Sequence, residues 1–207
     1  REYGRGVNPL AKPYIILIPF GPVEFGYNIS DTYLIKPGVH NTPAELINPF
    51  TTVGDLNSKI YQYTKHNAGK EGIQCAEEPM QMGGAGYAVR RDGSVFWVKV
   101  NSNYNLNEKY STLIHELAHI YCGHQGSIME RWWESRTGLS LEIKEIEAES
   151  ISYLVCNRHG LKTTAMQYLS SYLNEGKPLP NISMDLILTV SNHIEKMGEK
   201  GYKNKKK

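Results

Sequence analysis

Apolar positions recur along this chain with two different periods. Tyr14-Ile15-Ile16-Leu17-Ile18 is a continuous apolar run reaching Pro19, and Val23 to Ile29 follows a Phe20-Gly21-Pro22 turn; both segments predict strands. From Thr52 to Ala68 the spacing of Val53, Leu56, Ile60 and Tyr63 predicts a helix, which stops at Asn67-Ala68-Gly69. Met82 to Gly86 reads as a connecting loop, and its glycines lack the Lys-Ser/Thr that follows in a phosphate-binding loop. Tyr87–Val89 and Val95–Val100 predict a hairpin around Arg91-Asp92-Gly93, followed by a polar loop over Asn101–Asn107. A helix is expected from Glu108 to Cys122, ending at Gly123. Gly126 to Ser140, with Trp132-Trp133, leads to a second helix over 141–158, where Leu141, Ile151, Leu154 and Val155 mark the apolar rhythm. Two more helices are expected over Thr163–Asn174 and Ser183–Met197, and no internal repeat is visible.

Strands that precede most of the helices point to an α+β class. A length of 207 residues suits a single core, read here as one domain over 1–202 with a basic tail at 203–207. With 40% hydrophobic and 21% charged residues the composition is that of an ordinary globular chain. No run of about 18 apolar residues occurs, so no membrane-spanning helix is expected. The first residue is Arg1, which suggests processing or excision from something longer. The net charge of +2 changes meaning once the tail is set aside. Without Lys203, Lys205, Lys206 and Lys207, 19 basic residues face 21 acidic ones. The body is therefore slightly acidic, which disfavours a nucleic-acid partner. Cys75, Cys122 and Cys156 are odd in number and form no C-x-x-C, which predicts free thiols and a reducing, cytoplasmic setting.

The chemistry concentrates in His115-Glu116-Leu117-Ala118-His119. Residues four apart share a helix face, so both imidazoles can reach one metal ion, and Glu116 beside them can act as general base. The chain has only seven histidines, and two of them stand at ligand spacing around a glutamate. A hydrolytic zinc site uses three protein ligands and leaves one position for water. Position 125 is Gln, so a histidine six residues after His119 is absent. His124 lies five residues on and turns away if the helix continues. The acidic helix downstream is the better source: Glu145 and Glu149 share a face, whereas Glu147 points elsewhere. Glu145 is assigned as the third ligand and Glu149 as the carboxylate that orients a ligand histidine. Cys122, three residues past His119, reads as a small buried apolar residue.

His115 to His119 followed by Glu145-x-x-Ala148-Glu149 resembles the ImmA/IrrE-type zinc metallopeptidases. Those carry H-E-x-x-H and then E-x-x-A-[N/D/E] on the next long helix, with zinc on two His and one Glu. Pro19-Phe20-Gly21-Pro22-Val23, with Ser30-Asp31-Thr32 shortly after, resembles the start of the metallopeptidase domain of ArdC-like antirestriction proteins. The similarity runs from about Pro13 to Gly160. Glu149 departs from the Asn or Asp of many relatives, and its longer side chain could compete with Glu145 for the metal. The resemblance implies a zincin-like fold, a small mixed sheet packed on the H-E-x-x-H helix and a second Glu-bearing helix.

The expected function is a zinc-dependent endopeptidase acting on a specific protein, such as a regulator or repressor, through a zinc-activated water. The alternative is an ArdC-like antirestriction role through DNA or host-protein binding. A third possibility, a module with a structural metal, has no use for Glu116. The strand before the catalytic helix, Val95 to Val100, is expected at a sheet edge where an extended peptide could pair. Tyr153, His124 and His159 lie near the motifs, but none is assigned as the donor that stabilises the oxyanion.

Overall fold

The computed structural model describes residues 5–17, 23–27, 31–35, 51–80, 84–91, 95–127, 134–163 and 180–203. The Pro19-Phe20-Gly21-Pro22 motif, Ser30, the Asp92-Gly93 turn, Trp132-Trp133 and the lysines at 205–207 lie outside them, as does nearly all of the helix expected over Thr163–Asn174. Contacts along the chain gather into two units, Arg1–Pro49 and Phe50–Lys207.

In the first unit, Arg5–Val7 (β1), Tyr14–Leu17 (β2), Val23–Gly26 (β3) and Thr32–Leu34 (β4) make two antiparallel pairs, β1 with β4 and β2 with β3. The β2–β3 pair consists of the two strands expected from the apolar runs. The β1–β4 pair was not legible in the sequence. It is fastened by Arg5, whose Nε donates to Thr32 Oγ1 at 2.6 Å and whose Nη2 donates to Thr32 O at 2.9 Å.

The second unit begins with Thr52–Val53 (β5) and Ser58–Lys70 (α1), so the helix expected from Thr52 starts six residues later. Asn57 sets that start, its side chain accepting from Lys59 N at 3.0 Å. Thr52–Val53 instead pairs antiparallel with Lys162–Thr163. Ile73–Glu78 (β6), Gly86–Arg91 (β7) and Val95–Asn101 (β8) form a three-stranded sheet in the order β6-β8-β7, with β6 parallel and β7 antiparallel to β8. This overturns the expectation that Val95–Val100 lies at an edge. It is the central strand, and Phe96, Val98 and Val100 alternate into the core with period two. Among the described residues the edge near the helix that carries His115 and His119 is β7. β6 escaped notice because only Ile73 of its six residues is buried and two of them are glutamates.

Leu106–Tyr121 (α2) follows. Its start is a capping box, in which Asn105 accepts from Glu108 N at 3.0 Å and Glu108 Oε2 accepts from Asn105 N at 3.1 Å. α2 packs against β7 and β8 and also against Leu141–Arg158 (α3) and Met184–Met197 (α4). Tyr110, Leu113, Ile114, Leu117, Ala118, Ile120 and Tyr121 are all fully buried. Apolar residues on nearly every side mark a helix enclosed by its neighbours, and each large one contributes roughly 1.5–3 kcal/mol on burial. α3 follows the expected bounds, with Ser140 as its cap. Lys162–Thr163 (β9), the partner of β5, occupies the position where a further helix was expected to begin. The described residues thus form an α+β arrangement of small sheets and four helices. Among them no helix is long and apolar enough to cross a membrane.

Candidate metal centre

α2 and α3 run antiparallel, since Glu145 lies beside His119 while Ser152 Oγ donates to Ser111 O at 3.2 Å. That pairing brings the three expected ligands together. His115 Nε2 and His119 Nε2 are 3.1 Å apart. Glu145 Oε2 is 3.5 Å from the first and Glu145 Oε1 is 3.5 Å from the second. A four-coordinate ion with bonds of about 2.0–2.1 Å sets its donor atoms roughly 3.3 Å apart. The observed separations match that spacing.

The protonation pattern fits as well. Glu149 Oε1 lies 3.2 Å from His115 Nδ1, close enough for an ion pair although not aligned as a hydrogen bond. A carboxylate there favours a proton on Nδ1, so a cation would displace only the proton on Nε2. Burial pulls the His115 pKa down, and the Glu149, Glu116 and Glu145 carboxylates push it up further, to about 9. The pocket is built for positive charge. Glu145 is raised by burial but lowered more by the two histidines, so it stays ionised. Among the described residues these three form one of two groups spaced to hold an ion.

Glu116 is only 9% exposed. Burial raises its pKa most, against the lowering effect of His115, His119 and a backbone hydrogen bond from Ala88 of β7. A carboxyl held above its ordinary value is better matched to accepting and returning a proton near neutrality. The cleft measures about 320 Å³ and is lined by β7, the ligand face of α2 and the start of α3. Leu141 stands at its rim, 71% exposed.

Two residues that point off the ligand face, His124 and Glu147, meet each other, with His124 Nε2 2.9 Å from Glu147 Oε2. His124 also reaches back to His119, Nδ1 to Nδ1 at 3.0 Å. Arg136 closes the group with two bonds to Glu147, at 2.6 and 2.8 Å. Burial lowers the His124 pKa more than Glu147 raises it. Burial raises that of Glu147, but His124 and Arg136 bring it down to about 2. The signal for this group was Gly123, read in the sequence only as a helix stop. The other histidine left unassigned, His159, packs edge-on against Tyr110 at 5.7 Å rather than at the cleft. Cys122 is buried and its thiol is pushed up to about 12 by burial, then by Glu147. All three cysteines are free.

No family model matches the chain, and no curated protein does. Among solved structures, the Mn(II)-bound antirestriction ArdC protein of plasmid R388 overlaps it. The overlap covers 95% of this chain and 73% of that one, at 15% identity and a TM-score of 0.30. That overlap is too loose to carry a function across. The site therefore stands on its own geometry.

Proposed function

We propose that this chain is a zinc-dependent endopeptidase. The observation that carries the reading is the convergence of three side chains at an open cleft beside a buried glutamate: His115 Nε2 and His119 Nε2 are 3.1 Å apart, and each lies 3.5 Å from one oxygen of the Glu145 carboxylate. Two imidazoles and a carboxylate are a donor set that suits zinc. A zinc ion held there would lower the pKa of water toward neutrality and polarise a substrate carbonyl. The remaining chemistry belongs to the protein. Glu116 takes the proton of the attacking water and hands it to the leaving amide nitrogen. Glu149 holds the His115 ring in place.

The strand available for peptide pairing is β7, in place of β8. Asn101 N donates to Ala85 O at 2.8 Å, and by alternation the peptide groups of Gly86, Ala88 and Arg90 face away from β8. Gln125 Nε2 donates to Ala88 O at 3.0 Å, so a peptide pairing at that residue would have to displace this side chain. A DNA-binding role is less favoured. Lys65 and Lys109 are paired with Glu77, Lys99 with Glu78, Arg136 with Glu147 and Arg158 with Glu195, so these cations are already matched by carboxylates.

Elemental analysis tests the reading directly. Wild-type protein should carry one equivalent of zinc and His115→Ala should carry none; equal and negligible metal in both ends the proposal. Proteome-wide cleavage mapping of wild type against Glu116→Gln would then reveal the substrate.

A further inference from the structure

We propose that His124, Glu147 and Arg136 form a positioning relay that holds the His119 imidazole in the one tautomer able to offer Nε2 to a cation. The proposal rests on the metal-site reading above and concerns how this chain prepares that site before any metal arrives.

Glu147 anchors the group, and its side chain has no exposed surface. Its Oε1 accepts from Arg136 Nη2 at 2.8 Å and from Ser183 N at 2.9 Å. Its Oε2 accepts from Arg136 Nη1 at 2.6 Å and faces His124 Nε2 at 2.9 Å. An ionised carboxylate has no proton to give, so the proton in the last contact belongs to His124 Nε2. The His124 side chain is only 1% exposed, and the Arg136 guanidinium already balances the shared carboxylate. A second proton on His124 would add an enclosed charge, and Nδ1 therefore keeps its lone pair. His119 Nδ1 stands 3.0 Å from that lone pair and must donate to it. This assignment of protons follows from the hydrogen-bond network. It leaves His119 Nε2 bare, facing His115 Nε2 and Glu145.

The helix end explains how His124 gets there. His124 N donates to His119 O at 3.0 Å and Gly123 N donates to Ile120 O at 3.0 Å, with Gly123 at φ +71. This paired pattern with a left-handed residue is a Schellman turn. It reverses the chain and returns position 124 to the ring of His119, two residues before the end of α2. A Cβ at Gly123 would lie 1.9 Å from Glu134 O, and Arg136 N donates to Gly123 O at 2.8 Å. The same glycine thus seats both His124 and Arg136.

Cys122, His124 and Glu147 also have the spacing of a second cation site. The network argues against that use. The Glu147 oxygens are filled by donors, a guanidinium stands beside them, and the Cys122 thiol keeps its proton.

Long-range 1H–15N spectra of histidine-labelled, metal-free protein at about pH 8 read the tautomer directly. His119 should show a protonated Nδ1 and a bare Nε2. In His124→Phe this preference should vanish, and zinc affinity, read by chelator competition, should fall about 10–100-fold. Nε2 protonation of His119 in the wild type would overturn the relay, as would unchanged zinc affinity in a folded His124→Phe. If the variant does not fold, the wild-type spectrum still decides. Absence of zinc binding in wild type would sink the peptidase reading instead, leaving the spectrum to judge the relay.

Discussion

Glu145 and Glu149 differ by one helical turn and by which imidazole atoms they meet. Glu145 faces both Nε2 atoms at 3.5 Å, whereas Glu149 faces His115 Nδ1 at 3.2 Å. Their replacements should therefore separate. Glu145→Ala removes one of three donors and should abolish stoichiometric zinc in equilibrium dialysis. Glu149→Ala should weaken zinc by about 10–100-fold while leaving a site. The reverse order would make Glu149 the ligand. Glu116 touches neither role, and Glu116→Gln should retain zinc while turnover of a cleaved substrate drops by about 10²–10⁴-fold. Unchanged cleavage would remove Glu116 from the mechanism.

At the scale of elements, two glycines make opposite predictions. Gly69 lies inside α1 with nothing within 4 Å of an added Cβ, so Gly69→Ala should stabilise by about 0.5–1 kcal/mol. Gly123 ends α2 at φ +71, where a Cβ would meet backbone at 1.9 Å. Gly123→Ala should cost more than the roughly 1–2 kcal/mol of placing an L residue in the left-handed region, because the 134–136 segment must also move. Urea titrations of the two variants check the sign of each effect. A neutral Gly123→Ala would show that the Schellman turn is not what fixes His124.

Across the second unit as a whole, Glu71 joins three helices and the segment beyond them. It caps the end of α1 and accepts from Tyr121 of α2 at 2.8 Å, from His193 of α4 at 3.1 Å, and from the Tyr202 hydroxyl. Burial raises its pKa, but the bonds from His193, Tyr202 and Tyr121 lower it further, to a net value below the ordinary 4.5. A carboxyl depressed on folding contributes stability that is complete above its unfolded pKa and lost as pH falls through the folded one. Wild type should therefore lose stability below about pH 4.5, and its advantage over Glu71→Gln should shrink over the same window. Parallel denaturation midpoints in wild type and variant that never converge on acidification would refute this role.

Much of the site was legible because helical periodicity is local. His115, Glu116 and His119 lie within five residues, and Glu145 and Glu149 share a face of a helix whose bounds the sequence already marked. Those spacings determined which side chains could act together on each helix. The rest was decided by pairing between distant segments. Val95–Asn101 became a central strand because Ile73–Glu78, weak in pattern, pairs directly with it, although Gly86–Arg91 lies between the two in sequence. The wheel projection that sent His124 away from His119 assumed a helix that continues, and the left-handed turn at Gly123 reverses it. Arg136 reaches Glu147 from a segment that has no periodicity of its own. Local sequence sets which face a residue occupies; only long-range packing sets what that face meets.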